Sequence, residues 1–380
     1  TDLINAIVQS QLASFLDDLR EFEQTGAAEI AGEEVAYTEI LRRLTVTPDA
    51  GDRRKLATLL PPYIETSGVF RREIRKRRSE LYQPWGFANY AEFYEAREKL
   101  DLNQVNDLAE AFLAETEELY ATLFAQVAQE YLGVEARKVR FHDLPFLSQG
   151  TAFAQAFPAD ERARRIRGVF KGLGVTFPDK LDVEYDSRPG KVLRPGVYPI
   201  DVPGNVLSGD VVVSINPMES GVRDDDKSAY AVGEGLLFAL SSQTEFEPAY
   251  LLNQTSQATL AWLPTLVLEE PAWIEATAIP EGFSAESYRV FRAFLSLYEA
   301  RFLAAGAKFE IAAYRSTEDL SRDWRSIVRE ATGARLSTND QERAVEFLTQ
   351  LHAAARFYGL LSAAGIREHL RESLGEQWFT

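Results

Sequence analysis

The sequence predicts a mainly α-helical protein with one small antiparallel sheet, and three observations lead there. Apolar residues recur at three- and four-residue spacing through most of the chain. Only one stretch, from about 182 to 216, is rich in β-branched and aromatic residues broken by Pro and Gly. The 380 residues, 46% of them hydrophobic, suffice for a large core in one bilobal body or two domains.

Residues 3–24 place Leu3, Ile7, Leu12, Phe15, Leu19 and Phe22 near one stripe of a helix. A second helix is expected over 34–44, followed by a loop over 45–52 that carries Pro48 and Gly51. One long helix is expected from about 53 to 82. Its basic run of Arg71, Arg72, Arg75, Lys76, Arg77 and Arg78 is interleaved with acids in an acidic chain, so it reads as a solvated face. Another long helix is expected from 103 to about 132, with Asp101 or Asn103 as cap and Glu115, Glu117 and Glu118 facing solvent. Residues 160–175 read as helical. Val183, Tyr185, Val192, Val197 and Tyr198, then Val211 to Ile215, supply the strands. From 227 onward the chain is helical again. Pro264 predicts a kink or restart in helix 254–269, because an interior proline costs roughly 3 kcal/mol.

Composition removes several function classes. With no cysteine there is no disulfide, thiolate metal site or cysteine nucleophile. The three histidines, His142, His352 and His369, are far apart and no pair has i, i+3 or i, i+4 spacing. There is no G-x-S-x-G elbow to suggest a serine hydrolase. A net charge of −17 disfavours nucleic acid and anionic membrane as partners. No run of about 18 apolar residues is present to span a bilayer. The first residues lack a basic n-region and read as the start of an amphipathic helix, so the expected location is the cytoplasm.

The segment Asp225-Asp226-Lys227-Ser228-Ala229-Tyr230-Ala231-Val232-Gly233-Glu234-Gly235-Leu236-Leu237-Phe238 has the frame of a zinc helix without its ligands. In H-E-x-x-H, two His at i and i+4 leave one helix face toward one metal, and the Glu acts as general base. Here an acidic lead-in, a Gly before the second ligand position and following apolar residues surround Val232, Gly233 and Leu236. Neither Val nor Leu can donate an electron pair to a metal. The alternative reading is an ordinary buried helix. Against it stand Gly233 and Gly235, each costing about 1 kcal/mol in a helix interior, which points to a close-approach constraint.

Further patches occur in the same order as in one peptidase group. Tyr198-Pro199-Ile200-Asp201-Val202-Pro203-Gly204 is similar to the strand that precedes the zinc helix in relatives of oligoendopeptidase F, thimet oligopeptidase and angiotensin-converting enzyme, the gluzincin metallopeptidases. Val211 to Pro217 would then be the edge strand beside the cleft. Leu268-Glu269-Glu270-Pro271-Ala272-Trp273-Ile274 resembles the end of the helix with the third ligand, and counting back places that ligand at Ala258. Residues 77–81 and 86–93 resemble the family's long helix and aromatic turn, Phe141 to Phe146 its stretch at the cleft wall, and 370–379 its terminal helix.

The resemblance implies a bilobal, thermolysin-like helical fold with a small sheet beside a central cleft. The domains expected are an N-terminal helical lobe, 1–181, and a pseudo-catalytic lobe, 182–380, with the sheet, the degenerate zinc helix 227–242 and C-terminal helices. With Val232, Leu236 and Ala258 at the ligand positions and Gly233 at the base position, the expectation is no metal, no cofactor and no catalytic residue. The function expected is a pseudoenzyme that binds a peptide or serves as partner subunit, in a heterodimer, of an active homologous peptidase. Two alternatives stand beside it. One is zinc-independent chemistry relocated to Glu234, Tyr198, His142, Tyr358, Glu269 or Glu270 around the cleft. The other is a purely structural interaction protein. Glu234 lies roughly 100° round the helix from the base position, so it is expected to point away from the old metal site.

Overall fold

The computed structural model describes residues 2–30, 32–185, 196–202, 205–215, 220–241, 253–276, 284–316 and 320–379. Helix α1 (Asp2–Thr25) buries Val8, Leu12 and Leu19, whereas Leu3 at its start is exposed. A hairpin absent from the sequence expectations follows, with β1 (Ala27–Ile30) antiparallel to β2 (Glu33–Ala36). It takes the first residues of the helix expected over 34–44, so α2 (Tyr37–Val46) starts later.

The long helix expected over 53–82 is two helices, α3 (Ala50–Ala57) and α4 (Pro61–Tyr82). Pro61 and Pro62 lack backbone N–H groups and are tolerated only in a first turn, so they force the restart. The basic face of α4 is not uniformly solvated. Arg78 is fully buried, with its guanidinium 5.0 Å from the Tyr90 ring centroid, and Arg71 pairs with the buried Glu23. Helix α5 (Tyr90–Glu98) is capped by Asn89, whose side chain accepts from Glu92 N–H.

The helix expected over 103–132 also divides, into α6 (Leu102–Glu115) and α7 (Glu117–Leu132), with Asp101 as the cap of the first. At the break, Thr116 Oγ1 donates to Phe112 O at 2.6 Å and accepts from Arg301 Nη1 at 2.7 Å. The same Nη1 donates to Leu113 O at 2.7 Å, so a buried arginine satisfies one carbonyl that the break exposes.

Helix α8 (Leu144–Gln149) and helix α9 (Arg162–Gly172) lead to strands β3 (Leu181–Glu184), β4 (Gly196–Val202) and β5 (Asn205–Ser214). The order is β3-β5-β4, parallel between β3 and β5 and antiparallel between β4 and β5. The sheet is therefore mixed, not wholly antiparallel, and β5 is its central strand. Val211 to Ser214 are paired on both sides, and not at an edge. Helices α10 (Val222–Ser241), α11 (Gln254–Val267), α12 (Pro271–Ala276), α13 (Ala285–Arg315), α14 (Ser321–Thr332) and α15 (His352–Leu374) follow among the described residues. Pro264 sits inside α11 without ending it. The terminal helix stops at Leu374, where Gly375 takes a φ of 85° that only glycine adopts freely, and Trp378 and Phe379 turn back into the core.

Two compact units result, and neither is continuous in sequence. The first comprises Thr1–Ser148 and Arg289–Phe357, the second Gln149–Tyr288 and Tyr358–Thr380. The lobes expected at 1–181 and 182–380 do not coincide with them. Residues 149–181 belong with the sheet because Ile166, Val169 and Phe170 of α9 pack into its core, and 289–357 belong with the first unit. The first unit is held by aromatic clusters. Tyr120, Phe124 and Phe294 stack with ring centroids 5.7 to 6.0 Å apart, and Trp324 lies 4.3 Å from Phe347. The second unit packs α9, α10 and the end of α11 on the sheet. Among the described residues no helix is long and apolar enough to cross a membrane.

Candidate functional site

Helix α10 opens with three buried acids, Asp224, Asp225 and Asp226. They suit a helix N-terminus, where the dipole favours negative charge. Asp225 accepts from Arg162 Nε at 2.9 Å and from Arg165 Nε at 2.6 Å and Nη2 at 3.0 Å. Both arginines lie on α9 and are themselves buried, so the pair of helices is fastened by one carboxylate and two guanidinium groups. The acidic lead-in that resembled part of a zinc-helix frame is thus an internal ion cluster.

About two and three turns on, α10 is apolar on its buried side. Val232 is 0% exposed and Leu236 is 4% exposed, both in one cluster with Val211, Val213 and Ile215 of the sheet. Both lie inside a packed apolar core. The glycines between them serve two different neighbours. A β-carbon at Gly233 would stand 3.0 Å from Ala261 Cα and 3.1 Å from Pro264 Cγ, both on α11. A β-carbon at Gly235 would overlap Val213 Cγ2 on β5 and come within 3.3 Å of Leu181 Cδ1 on β3. Gly233 lets α11 approach, and Gly235 lets the sheet approach. The close-approach constraint read from the sequence is met on two sides of the helix.

Helix α11 is capped by Asn253, whose side chain accepts from Ser256 N–H at 2.7 Å. Ala258 follows, 3% exposed, and a β-carbon at Gly359 of α15 would lie 2.6 Å from its own β-carbon. Val232, Gly233, Leu236 and Ala258 therefore all lie in the second unit, buried, each against a close neighbour. Among the described residues, no three His, Cys, Asp or Glu side chains are grouped so as to hold a metal ion.

The other candidates fall in separate places. Glu234 on α10 is half-buried. Tyr198 pairs with Val212 through the backbone of β4, and its side chain lies outside the described part. Tyr358, half-buried, sits in the second unit on α15. His142 belongs to the first unit, beside Asp143, which accepts from Arg53 Nε at 2.9 Å. Desolvation holds the His142 imidazole below its usual value, against the pull of Asp143 and Asp340. Glu269 accepts from Arg367 Nη1 at 3.1 Å. Glu270 is 3% exposed, and burial raises its carboxyl above the usual range despite Arg367 and Arg371 nearby. The sequence reading missed the buried arginines Arg53, Arg78, Arg162 and Arg301. The signal available was an Arg on an otherwise apolar helix stripe, most visible for Arg162 and Arg165 ahead of Ile166 and Val169.

No family model matches the chain, and no curated protein does. Solved structures share its fold, two peptidases among them. A putative oligoendopeptidase F superimposes with a TM-score of 0.65 at 15% identity, covering 98% of this chain and 68% of that one. PZ peptidase A, solved with an inhibitor, gives a TM-score of 0.63 at 16% identity, covering 96% of this chain and 67% of that one. The fold is that of these two peptidases. At such identities the likeness extends to the fold alone. The sequence itself contains no H-E-x-x-H, since its three histidines are followed by Asp143, Ala353 and Leu370.

Proposed function

We propose that this chain is a metallopeptidase-fold protein without metallopeptidase chemistry, which binds a peptide or serves as the partner subunit of an active homologue. One observation carries the reading. The four positions aligned with three zinc ligands and the base hold Val232, Leu236, Ala258 and Gly233, all buried and tightly packed. A catalytic zinc needs about three protein ligands and an open water position. These side chains offer no donor atom, and their surroundings offer no space for one. Losing the metal need not remove the surface that a peptide lies on, so binding can persist where hydrolysis does not.

The test is turnover of a mixed fluorogenic peptide library by the purified chain, with and without chelator, together with its zinc content after dialysis. The expected result is no hydrolysis in either arm and no stoichiometric zinc. Chelator-sensitive cleavage, or about one tightly held zinc per chain, sinks the proposal. Cleavage that ignores chelator and disappears in Glu234→Gln supports relocated chemistry instead. Against that alternative, Glu269 and Glu270 face Arg367, at 3.1 and 4.0 Å, as helix-end acids paired with an arginine do.

A further inference from the structure

The first unit carries a pocket of about 580 Å³ far along the chain from the zinc-helix positions, walled by α4, the start of α5 and the end of α13. Its size is that of a small-molecule site. From α4 come Arg72, Arg75, Lys76 and Ser79. Their spacing of i, i+3, i+4 and i+7 puts them on one face of the helix. Arg315 faces them from the end of α13, beside the buried Tyr314. Glu80 is the one carboxylate among the lining residues. Four cations stand against Glu80 in the wall and Glu95 behind Arg315, a local reversal of sign on a protein of net charge −17.

The cations are not equally engaged. Arg75 donates to Ser316 O, and Arg315 donates to Asn103 Oδ1 at 2.7 Å and to Glu95 Oε1 at 3.1 Å. These bonds fix two guanidinium groups in the wall. Lys76 approaches Glu80 only at 4.0 Å, and Arg72 makes no ion pair among the described residues. The wall therefore combines two anchored cations with two that can turn to a ligand. Glu318 and Asp319, next along the chain, lie outside the described residues and outside this count.

We propose that this pocket binds a small, multiply charged phosphate compound through Arg72, Arg75, Lys76 and Arg315. Guanidinium groups match phosphate oxygens two at a time, and an ammonium adds a mobile point charge. The hydroxyl of Ser79 offers a neutral donor. This site is independent of the peptidase-fold reading above.

Calorimetric titration of the full chain tests it, with inorganic tripolyphosphate, ATP and citrate as separate probes. About 150 mM KCl limits diffuse attraction to a Debye length of about 8 Å. The expected result is saturable binding of tripolyphosphate and ATP, weakened at least about tenfold in the Arg72→Ala/Lys76→Ala double variant. These two side chains are exposed and tie down nothing else, so the variant is expected to fold normally. Lys55→Ala, which removes an exposed cation on α3, leaves binding unchanged if the site is this pocket. ATP binding more tightly than tripolyphosphate assigns a nucleotide, and equal binding assigns the phosphate chain alone; both support the site. Three results overturn it: no saturable binding up to millimolar probe, unchanged affinity in the double variant, or citrate binding as tightly as tripolyphosphate.

Discussion

Gly235 meets Val213 on the sheet, and that contact sets the residue's identity. Overpacking a buried contact costs about 1–3 kcal/mol, and the roughly 1 kcal/mol that Ala gains over Gly in a helix offsets only part of it. Gly235→Ala is expected to lower stability in urea unfolding. Gly365→Ala, on α15 with open space around it, is expected to raise stability by up to about 1 kcal/mol. The reverse ranking contradicts the packing described. A second residue, Glu310, is fully enclosed and accepts from Ala353 N–H at 2.8 Å and Ala354 N–H at 3.2 Å. Burial raises its carboxyl well above the usual range, against those two bonds and Arg356. A raised folded-state pKa means stability fully present below the unfolded value near 4.5 and lost as pH rises toward the folded value. Glu310→Gln keeps an acceptor without the charge. Its stability relative to wild type is therefore expected to increase between pH 5 and pH 8, measured by urea unfolding; a constant difference rules out a buried titrating carboxyl. The glycine constraint was legible in the sequence because two glycines in three helical residues are costly. Glu310 was not legible, because its burial depends on the start of α15, distant in sequence.

At the level of elements, the misread boundaries have local causes that only tertiary contacts reveal. The α6–α7 break looks continuous by periodicity, and it is fixed by Arg301 of α13 reaching Leu113 O and Thr116 Oγ1. The α3–α4 break is legible in Pro61 and Pro62, which only a first helical turn tolerates. The strand region was legible as composition, but its order was not. Parallel pairing of β3 with β5 depends on how the chain returns, and periodicity says nothing about that. The α9–α10 junction rests on Asp225 with Arg162 and Arg165. Removing one partner of a buried ion group leaves uncompensated charge and costs about 3–5 kcal/mol, whereas replacing the whole group with apolar residues is often near neutral. Asp225→Ala is expected to destabilise the chain within that range in chemical unfolding. The triple replacement Arg162→Met, Arg165→Met, Asp225→Leu is expected to cost less than that single change. If it costs more, the ion cluster itself stabilises the junction.

For the whole molecule, the mainly helical fold and its small sheet were legible because period-3.6 patterning covers most of the chain. The shared order of short patches pointed to the peptidase fold now matched at 15 and 16% identity. The division into units was not legible, since each unit joins segments far apart in sequence. The same whole-molecule packing decides whether metal chemistry can be put back. Val232→His, Gly233→Glu, Leu236→His and Ala258→Glu together write ligands and a base into the aligned positions. A side chain at 233 must start 3.0 Å from Ala261 Cα, a backbone atom that cannot turn aside. A side chain longer than Ala at 258 meets Gly359, whose own absent β-carbon already marks the closest approach of α11 and α15. Four polar groups placed in this core and left unsatisfied cost several kcal/mol in all. The quadruple variant is therefore expected to unfold at lower urea than wild type and to hold no stoichiometric zinc after dialysis, with no peptide hydrolysis. A folded variant that binds one zinc and cleaves peptide in a chelator-sensitive way shows that the site reopens at little cost, and defeats the argument from packing.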